Sequence, residues 1–372
     1  SPTRRRAGPS RPRAGWGNAM TPLLNFVIDE PGSALPRFNA VRSMSDCLAR
    51  EPAIAAGVAS RGDLCWSFQT YLHLAERTGL PVACGNELRD DAVNFVHSDQ
   101  LTRLRSRTST FIVCMRADFP ARRWAQTHIV QNRLQGGGGA FYLPLWPQSG
   151  IQPRDPGRRR VERVAYVGQT FNGNLAADET TWRGAVERLG LEFVAPPRER
   201  WGDFSSIDVL VGVRSFDGRT YPGKPPSKLI NAWHARAPFI GGPDSAYEQI
   251  GTPGRDYLRA VTLDEVAHAI ALLRDDDAEY ARIVANGALK AQRYSVEAMC
   301  DRWTALIQAE VLPRYNLWRN RPAYESLRFH ALYRVGRIEK RLRACARRAL
   351  DLTADRRRAG PTQRRVEGSP GR

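Results

Sequence analysis

One segment concentrates the residue types that bind anionic groups. It reads SFDGRTYPGKPPSKLIN over 215–231, follows an apolar run, and leads into a predicted helix. Lys224 and Lys228 flank Ser227, and they are two of the four lysines in the chain. A helix N-terminus presents free N–H groups and the positive end of its dipole, so this segment predicts a phosphate or diphosphate site. The alternative is a solvated loop with two surface lysines.

The same segment nearly matches a P-loop but lacks what that motif needs. Gly218 is followed after four residues by Gly223 and Lys224, which is the P-loop spacing. Pro225 stands where a Ser or Thr would hold magnesium, and Pro222 and Pro225 remove two backbone donors. A P-loop ATPase is therefore excluded as the main interpretation.

Two other turns in this half follow predicted strands. YVGQT places Gly168 and Gln169 after the apolar run at 161–167, where a glycine lets a ligand approach the backbone. The pattern is not GxGxxG, which argues against an NAD-dependent enzyme. FIGGPDSAYE places Gly242 and Glu248 around a turn into a helix. Glu248 either accepts hydrogen bonds from sugar hydroxyls or complements the helix dipole.

The N-terminal half offers two candidate general bases, His97 and Asp118. His97 lies just past an apolar run in FVHSD, and Asp118 lies beyond another in CMRADF. Residues at the carboxyl ends of parallel strands face the ligand cleft, so either side chain could take a proton there. A structural role for His97 is the alternative.

Short apolar runs alternate with helical patterns from residue 21 onward, which predicts parallel sheets with helical crossovers. The strands predicted for the first half are 24–28, 64–68, 82–84, 93–96, 110–115 and 127–131. Those predicted for the second half are 161–167, 191–194, 207–213, 238–240 and 256–261. The predicted helices are 69–78, 179–189, 226–235, 245–250, 263–273 and 278–292.

The 372 residues exceed what one core of about 250 residues holds, so two domains are expected. Four consecutive glycines at 136–139 and the Pro- and Arg-rich stretch 144–160 read as the linker. The predicted fold is α/β, with two Rossmann-like domains facing a cleft. The two domains are expected at 21–150 and 151–320.

The net charge of +18 first suggests nucleic acid or an anionic membrane as a partner. Residues 1–20 carry +5 and residues 334–372 carry +9, which leaves only +4 on the body. The body is therefore not expected to bind nucleic acid specifically. The tails 1–20 and 354–372 are rich in Pro, Gly and Arg and are predicted to be disordered. The first could also be a translated leader ahead of Met20.

The composition also bears on location. The sequence has no apolar run of 18 residues, and its six cysteines form no CxxC motif, which predicts reduced thiols in a cytoplasmic protein. Residues 321–353 predict a basic helix whose apolar side chains share one face. That face would either lie on an anionic membrane or pack on the core. The apolar positions are Val335, Ile338, Leu342, Cys345, Ala349 and Leu352.

Taken together, YVGQT, GKPPSKLINAWHARAPFIGGPDSAYEQI, RDYLRAV and TLDEVAHAIALLRDDDAEY resemble the C-terminal, donor-binding half of GT-B glycosyltransferases of the family 1 and 4 type. The resemblance covers roughly 160–300 and is only architectural over 21–150. It implies that 21–150 is the acceptor domain and that 151–320 is the nucleotide-sugar domain. It implies a nucleoside-diphosphate sugar as donor, with no bound cofactor or metal ion. The implied donor-binding residues are Gly168, Gln169, Arg214, Lys224, Ser227, Lys228, Asn231, Gly242 and Glu248.

The resemblance has one departure. Retaining members often carry two glutamates separated by seven residues, and the matching positions here are Gly223 and Asn231. The stereochemical outcome of the reaction therefore stays open. Separately, the three consecutive aspartates at 275–277 are interpreted as a turn between two helices. The expected activity is transfer of a sugar to a hydroxyl of a cell-envelope or lipid-linked glycan at the inner face of the membrane. The alternative is a non-catalytic scaffold attached to membrane or polyanion through the basic tails.

Overall fold

Two parallel β-sheets, each covered by helices, organise the computed structural model, which describes residues 21–171 and 173–358. A cleft lies between the two sheets. The predicted fold class, two Rossmann-like domains facing a cleft, is thereby confirmed. Of the tails predicted at 1–20 and 354–372, residues 1–20 and 359–372 lie outside the described residues. Residues 354–358 belong to a helix that begins at Pro322, so the prediction of disorder is wrong there.

The first sheet has six parallel strands in the order β2-β1-β3-β4-β5-β6. Its central strands are apolar and buried on both faces, as parallel strands between two helical layers must be. The strands are β1 Leu23–Val27, β2 Val82–Gly85, β3 Ala92–His97, β4 Phe111–Met115, β5 Thr127–Val130 and β6 Ala140–Tyr142. Five of them were predicted, and β6 was not.

The helices of the first half precede β2. They are α1 Leu35–Ala40, α2 Met44–Arg50, α3 Pro52–Val58 and α4 Gln69–Arg77. The strand predicted at 64–68 is wrong, because Leu64–Phe68 forms a π-helical turn that continues into α4. Its side chains are nearly all buried, and an apolar run buried on every side looks the same in a helix as in a strand.

The second sheet has five parallel strands in the order β11-β10-β9-β7-β8. Its strands are β7 Arg163–Ala165, β8 Glu192–Val194, β9 Val209–Gly212, β10 Phe239–Gly241 and β11 Leu258–Arg259. Its helices are α5 Glu179–Glu187, α6 Ser227–Ala235, α7 Ser245–Ile250, α8 Leu263–Asp275 and α9 Asp277–Gln292. Every element predicted for this half is confirmed, with ends shifted by a few residues.

The four glycines belong to the first domain and not to the linker. Gly137, Gly138 and Gly139 have φ values of +97°, +58° and +87°, and they turn the chain directly into β6. L-residues with a side chain rarely adopt this conformation, which explains the glycine run. The connection between the domains starts only after β6.

Buried ion pairs fix the Arg-rich connection to the second domain. The carboxylate of Asp208 is fully buried just before β9, and it accepts hydrogen bonds from the guanidinium groups of Arg154 (2.9 Å) and Arg158 (2.8 Å). The backbone N–H groups of Glu162 and Arg163 donate to the same carboxylate. The basic stretch is therefore an ordered part of the second domain.

After α9 the chain returns to the first domain. Helix α10 Val296–Leu306 continues through the π-helical segment Ile307–Val311 into α11 Leu312–Arg319. Met299, Trp303, Ile307 and Tyr315 are buried in the core of the first domain. The second domain was predicted to end at residue 320. This end lies too far along the chain, since the last residue in the buried core of the second domain is Tyr294.

Helix α12, Pro322–Arg358, packs on the first domain through one face only. Phe329 is buried, and the ring of Tyr333 lies 5.2 Å from that of Trp124. The predicted apolar face instead exposes Val335, Ile338 and Leu342, so the alternative in which it packs on the core is wrong at these positions. The side chains of Ala349 and Leu352 are not among those described.

The six cysteine thiols are all free, as expected from their spacing. Four are buried, Cys65 is partly buried, and Cys345 is exposed on α12. None of the described helices combines the length and the apolar character that a membrane span requires.

Candidate active site

A cavity of about 330 Å³ lies between the domains, where strands of both sheets end. Strands β7 and β9 are neighbours in the second sheet. The chain crosses from β7 to β8 on one side and from β9 to β10 on the other, and the loops after β7 and β9 line the cavity. Open parallel sheets bind ligands at this switch point. Gly168 after β7 and Arg214 after β9 lie there, and Asp118 reaches the cavity from beyond β4 of the other domain.

Eight of the eleven predicted site residues line this cavity. They are Asp118, Gly168, Gln169, Arg214, Lys224, Ser227, Lys228 and Asn231. The other three, His97, Gly242 and Glu248, do not line it. Further lining residues were missed by the sequence analysis, among them Trp66, Gln69, Gln148, Tyr166 and Trp201. Of these residues, only Tyr166 could have been predicted from the sequence, because it stands two residues before Gly168 in the YVGQT turn.

Helix α6 begins at the cavity. Pro226 occupies its N-cap position and no side chain caps this end. The first helical hydrogen bond runs from the N–H of Ile230 to the Pro226 carbonyl at 3.2 Å. The backbone N–H groups before Ile230 therefore have no acceptor within the helix. Ser227 and Lys228, in this first turn, line the cavity. Free N–H groups at a helix start beside two lysines are what the predicted anion site requires; anion binding here stays a prediction.

Lys228 is the enclosed cation of the site. Its Nζ donates to the Val167 carbonyl at 2.7 Å and lies 4.4 Å from the centre of the Tyr166 ring. Burial, together with the nearby Arg214 cation, lowers the pKa of Lys228 to about 7. A lysine in such surroundings gains from an anion that restores its charged form.

Gly168 provides the space for that lysine. Its φ is +142°, and a Cβ on this residue would overlap the Lys228 Nζ. We expect Gly168→Ala to displace the ammonium and to weaken nucleoside-diphosphate binding by roughly tenfold or more, measured by calorimetry. Gly173→Ala is the matched control, since this glycine also has a positive φ (+68°) but no atom within 4 Å of an added Cβ. Equal affinities for the two variants would contradict this role.

Arg214 is held by a buried carboxylate. Its Nε donates to Asp244 Oδ2 at 2.7 Å, and both side chains are almost completely buried. Burial raises the pKa of Asp244, although Arg214 opposes this shift. Asp244 stands at the N-cap of α7 but makes no capping bond, because its carboxylate is turned to Arg214. The pair orients a cation at the end of β9.

The two domains are joined across the cavity. Lys224 Nζ donates to Asp118 Oδ2 at 2.7 Å, so the candidate base is neutralised by a candidate phosphate ligand. Beside this pair, the amide of Asn132 donates to Ser245 Oγ at 2.8 Å and accepts from Gln249 Nε2 at 2.7 Å. These contacts hold the two sides of the cleft together.

Asn231 also makes an interdomain contact. Its Oδ1 accepts from the N–H of Gln148 at 3.1 Å, and its Nδ2 donates to Gln148 Oε1 at 3.0 Å. Both polar atoms of the Asn231 amide are thus occupied by one residue of the connection between domains. Its contact with a donor stays a prediction.

The three predicted residues outside the cavity have other neighbours. His97 is only 4% exposed; its ring packs against Phe119, and burial lowers its pKa. Glu248 is exposed and pairs with Arg259 at 3.2 Å. Gly242 is buried, with the Val213 side chain 3.5 Å from where its Cβ would be. Their predicted roles in catalysis and donor binding would need the cleft to change shape.

The acid run is a turn between helices, as predicted. Asp275 ends α8, and the carboxylate of Asp276 caps α9 by accepting from the Glu279 N–H at 2.9 Å. Across residues 21–171 and 173–358, no group of three or more His, Cys, Asp or Glu side chains is placed to hold a metal ion.

No model of a known protein family matches the sequence, and a search of curated proteins found no match. Among solved structures the chain is similar to TarM, at 10% identity over 60% of this chain and 56% of that one (TM-score 0.44). It is similar to HepE of Anabaena in complex with UDP and glucose, at 12% identity over 78% and 100% (TM-score 0.47). It is also similar to the pneumococcal O-GlcNAc transferase GtfA, at 9% identity over 66% and 60% (TM-score 0.42).

The chain spans little more than half the length of the TarM chain that it matches.

Proposed function

We propose that this protein transfers a sugar from a nucleoside-diphosphate sugar to a hydroxyl acceptor. The observation that carries the proposal is the clustering of Lys224, Lys228 and Arg214 with the uncapped start of α6, at the switch point of the second sheet. A diphosphate needs this combination of fixed cations and backbone donors. Side chains of the first domain, among them Trp66 and Gln69, line the opposite wall of the cavity, where we propose that the acceptor binds.

The site chemistry suits departure of a nucleoside diphosphate. As the bond between the anomeric carbon and the diphosphate oxygen breaks, negative charge develops on that oxygen. Lys228 and the N–H groups of α6 are already in place to stabilise this charge, without reorganisation at the moment of reaction. We propose that they act in place of a metal ion, so that activity should persist in the presence of a chelator.

Asp118 is the proposed general base if the reaction inverts the anomeric centre. The acceptor oxygen forms the new bond to the anomeric carbon, and its proton passes to the carboxylate of Asp118. In the structure this carboxylate is paired with Lys224. A donor phosphate that binds Lys224 would release Asp118 for this step.

We expect Asp118→Asn to lower kcat by about 10²- to 10⁴-fold, the usual contribution of a general base, while donor binding is kept or tightened because a competing anion is lost. Steady-state kinetics with calorimetry measures both quantities. Asp99→Asn is the matched control, since this carboxylate also follows a strand and pairs with an arginine, Arg103, but does not line the cavity. An unchanged kcat in Asp118→Asn would remove this residue as the base.

Donor affinity should depend on pH through Lys228. Because the pKa of Lys228 in the free protein is about 7, its charged form is lost above neutrality, and the Kd for donor should rise up to about tenfold per pH unit there. The free energy of unfolding without ligand should rise over the same range, since the unfolded chain then binds the extra proton. Calorimetry on the wild type measures the change in Kd, and denaturation of the wild type and of Lys228→Met measures the change in stability. A Kd that does not vary with pH, or identical stability profiles for the two proteins, would contradict this role of Lys228.

The acceptor is proposed to be a cell-envelope or lipid-linked glycan, reached at the inner face of the cell membrane. The support is the basic helix α12, which lies on the first domain. A surface of this charge would bring the cleft close to acceptors held by an anionic membrane.

The deciding experiment is a thermal-shift panel with UDP, GDP and dTDP, followed by an assay for release of nucleoside diphosphate from the matching sugar nucleotides. One nucleotide should raise the unfolding temperature, and its sugar form should be turned over. No shift with any of the three would overturn the proposal. A shift without turnover, with or without candidate acceptors, would favour the non-catalytic scaffold.

A further inference from the structure

One face of α12 repeats its apolar residues with the spacing of a coiled coil. Six positions are separated alternately by three and by four residues, which is the spacing of positions a and d in a heptad. We call them the α12 seam: Val335, Ile338, Leu342, Cys345, Ala349 and Leu352. Val335 then stands at an a position and Ile338 at a d position. The seam extends over about 26 Å at the usual helical rise.

The seam is accessible while the helix itself is held in place. Val335, Ile338 and Leu342 are 41%, 57% and 64% exposed, and Cys345 is exposed too. The buried Phe329, which packs on the first domain, belongs to another face of α12. Because the first domain already anchors the helix, a partner does not have to nucleate it. The seam is therefore available to a partner that runs along it.

The narrowness of the seam indicates what kind of partner fits. The heptad positions on its two sides hold charged or small residues, namely Arg334, Arg341 and Arg348 at g and Glu339, Ala346 and Thr353 at e. An apolar face confined to a and d is the seam of a coiled coil, whereas a helix that lies on a bilayer has a broader apolar face. Nucleic acid would leave the seam in water. A second helix with the same pattern covers it best, and a second copy of this chain supplies one.

The charges beside the seam select the orientation of the second copy. In a parallel pair, a g position lies beside the e position five residues later in the partner, so Arg334 lies beside Glu339 of the second copy. Arg341 and Arg348 lie beside Ala346 and Thr353, and no like charges meet. In an antiparallel pair g positions face g positions, and arginines would meet arginines. The charge pattern therefore favours the parallel pair.

Glu339 can serve this contact and its contact within the chain. Its carboxylate lies 2.6 Å from the guanidinium of Arg123, and the side chain is still 26% exposed. A carboxylate has room for further donors on its two oxygens. Arg334 of a second copy can therefore bind to it without displacing Arg123.

The remaining positive charge of the helix does not stand against association. Four of its cations occupy the b, c and f positions, which face solvent in a coiled coil. They are Arg337, Lys340, Arg343 and Arg347. At an ionic strength of about 0.15 M, charges more than about 8 Å apart are largely screened. Their repulsion across the pair is therefore small beside the burial of the seam.

We propose that two copies of this chain associate through the α12 seam as a parallel, in-register coiled coil. Each a and d side chain packs against the same residue of the second copy, and Arg334 pairs with Glu339 across the seam in both directions. This association needs neither donor binding nor glycosyl transfer, so its test stands apart from that of the proposed function.

Sedimentation velocity of the full chain at 150 mM salt tests the association, and we expect a dimer at micromolar concentration. Ile338→Ser with Leu342→Ser should raise the dissociation constant at least a thousandfold, since the dimer loses four buried side chains. Leu272→Ser with Leu289→Ser is the matched control at two exposed leucines of the second domain, and it should leave the dimer intact. Circular dichroism establishes that all variants fold.

A second pair of variants tests the role of charge. Arg334→Glu places a carboxylate beside Glu339 of the second copy, and it should raise the dissociation constant by about tenfold, because two attractive pairs become repulsive. Arg337→Glu changes the net charge equally, but at a c position. It should leave the dissociation constant unchanged or lower it. Equal weakening by the two variants would contradict the parallel register.

Cross-linking through cysteine tests the orientation directly. Copper phenanthroline with oxygen takes two electrons and two protons from paired thiols, and in the parallel pair the two Cys345 thiols face each other. We expect a disulfide-linked dimer from the wild type and none from Cys345→Ser, which should still sediment as a dimer. Ile338→Cys in the Cys345→Ser background should restore the cross-link. An antiparallel pair can place only one of these two positions opposite itself.

Four results would overturn the proposal. They are a chain that stays monomeric at 100 μM, a dimer that survives the serine substitutions in the seam, a species larger than a dimer, and a cross-link at only one of positions 338 and 345. A monomer that binds vesicles of phosphatidylglycerol and loses this binding with the same serine substitutions would show that lipid covers the seam instead.

Discussion

Lys228→Met is expected to lower kcat/KM by about a thousandfold, because it removes the fixed charge that stabilises the departing diphosphate. The thermal shift caused by the matching nucleotide should disappear at the same time. The methionine stem can follow the lysine stem past the Tyr166 ring, and loss of a buried ammonium offsets loss of its hydrogen bond to Val167. Differential scanning fluorimetry and steady-state kinetics measure the two effects.

Lys290→Met is the control for this variant. The Nζ of Lys290 also donates to a backbone carbonyl, that of Ile250 at 3.1 Å, but it lies outside the cavity. It should keep the nucleotide shift and kcat/KM even if the unfolding temperature falls. If Lys228→Met bound nucleotide as tightly as Lys290→Met does, the anion site would have to be placed elsewhere.

Trp303→Ala is expected to destabilise the first domain by about 3–5 kcal/mol, the usual cost of truncating a fully buried tryptophan. Trp303 belongs to α10, after the second domain, and is fully buried in the core of the first. Its ring is stacked on Trp146 at 6.3 Å and meets the edge of Phe95 at 6.1 Å. Chemical denaturation followed by tryptophan fluorescence measures the change.

Leu289→Ala is the comparison for this prediction, since Leu289 is 62% exposed on the neighbouring α9, and we expect a change of about 0.5 kcal/mol or less. Similar midpoints for the two variants would show that α10 is not part of the first domain's core. We also predict that a chain ending before Val296 does not keep a folded first domain. A folded first domain in that shortened chain would contradict the role of α10 in its core.

The candidate site was predictable to the extent that local chemistry defines it. Lys224, Ser227 and Lys228 are adjacent along one helix start, so their meeting needs no tertiary information. Gly168 was found because a glycine directly after a strand has a local meaning. Gln148 could not be found this way, because it reaches the cavity through an irregular connection with no periodic signal.

The errors in the fold share one origin, namely that a run of residues has the same local pattern in two settings. Leu64–Phe68 is apolar on all sides and was taken for a strand, but it packs as a helical turn. The glycines at 136–139 look like a linker but turn the chain into β6. In each case the surrounding core decides between two conformations that are equally acceptable locally.

By itself, the sequence determined the two α/β halves, the cationic start of α6 and the concentration of positive charge at the ends, because periodicity and charge are properties of neighbouring residues. Only the tertiary structure decided that Asp118 contacts Lys224, that His97 is buried, that α10 and α11 complete the first domain, and that one face of α12 is exposed among the described residues. These features depend on contacts between residues far apart in the chain, and such contacts are fixed by the packing of whole domains.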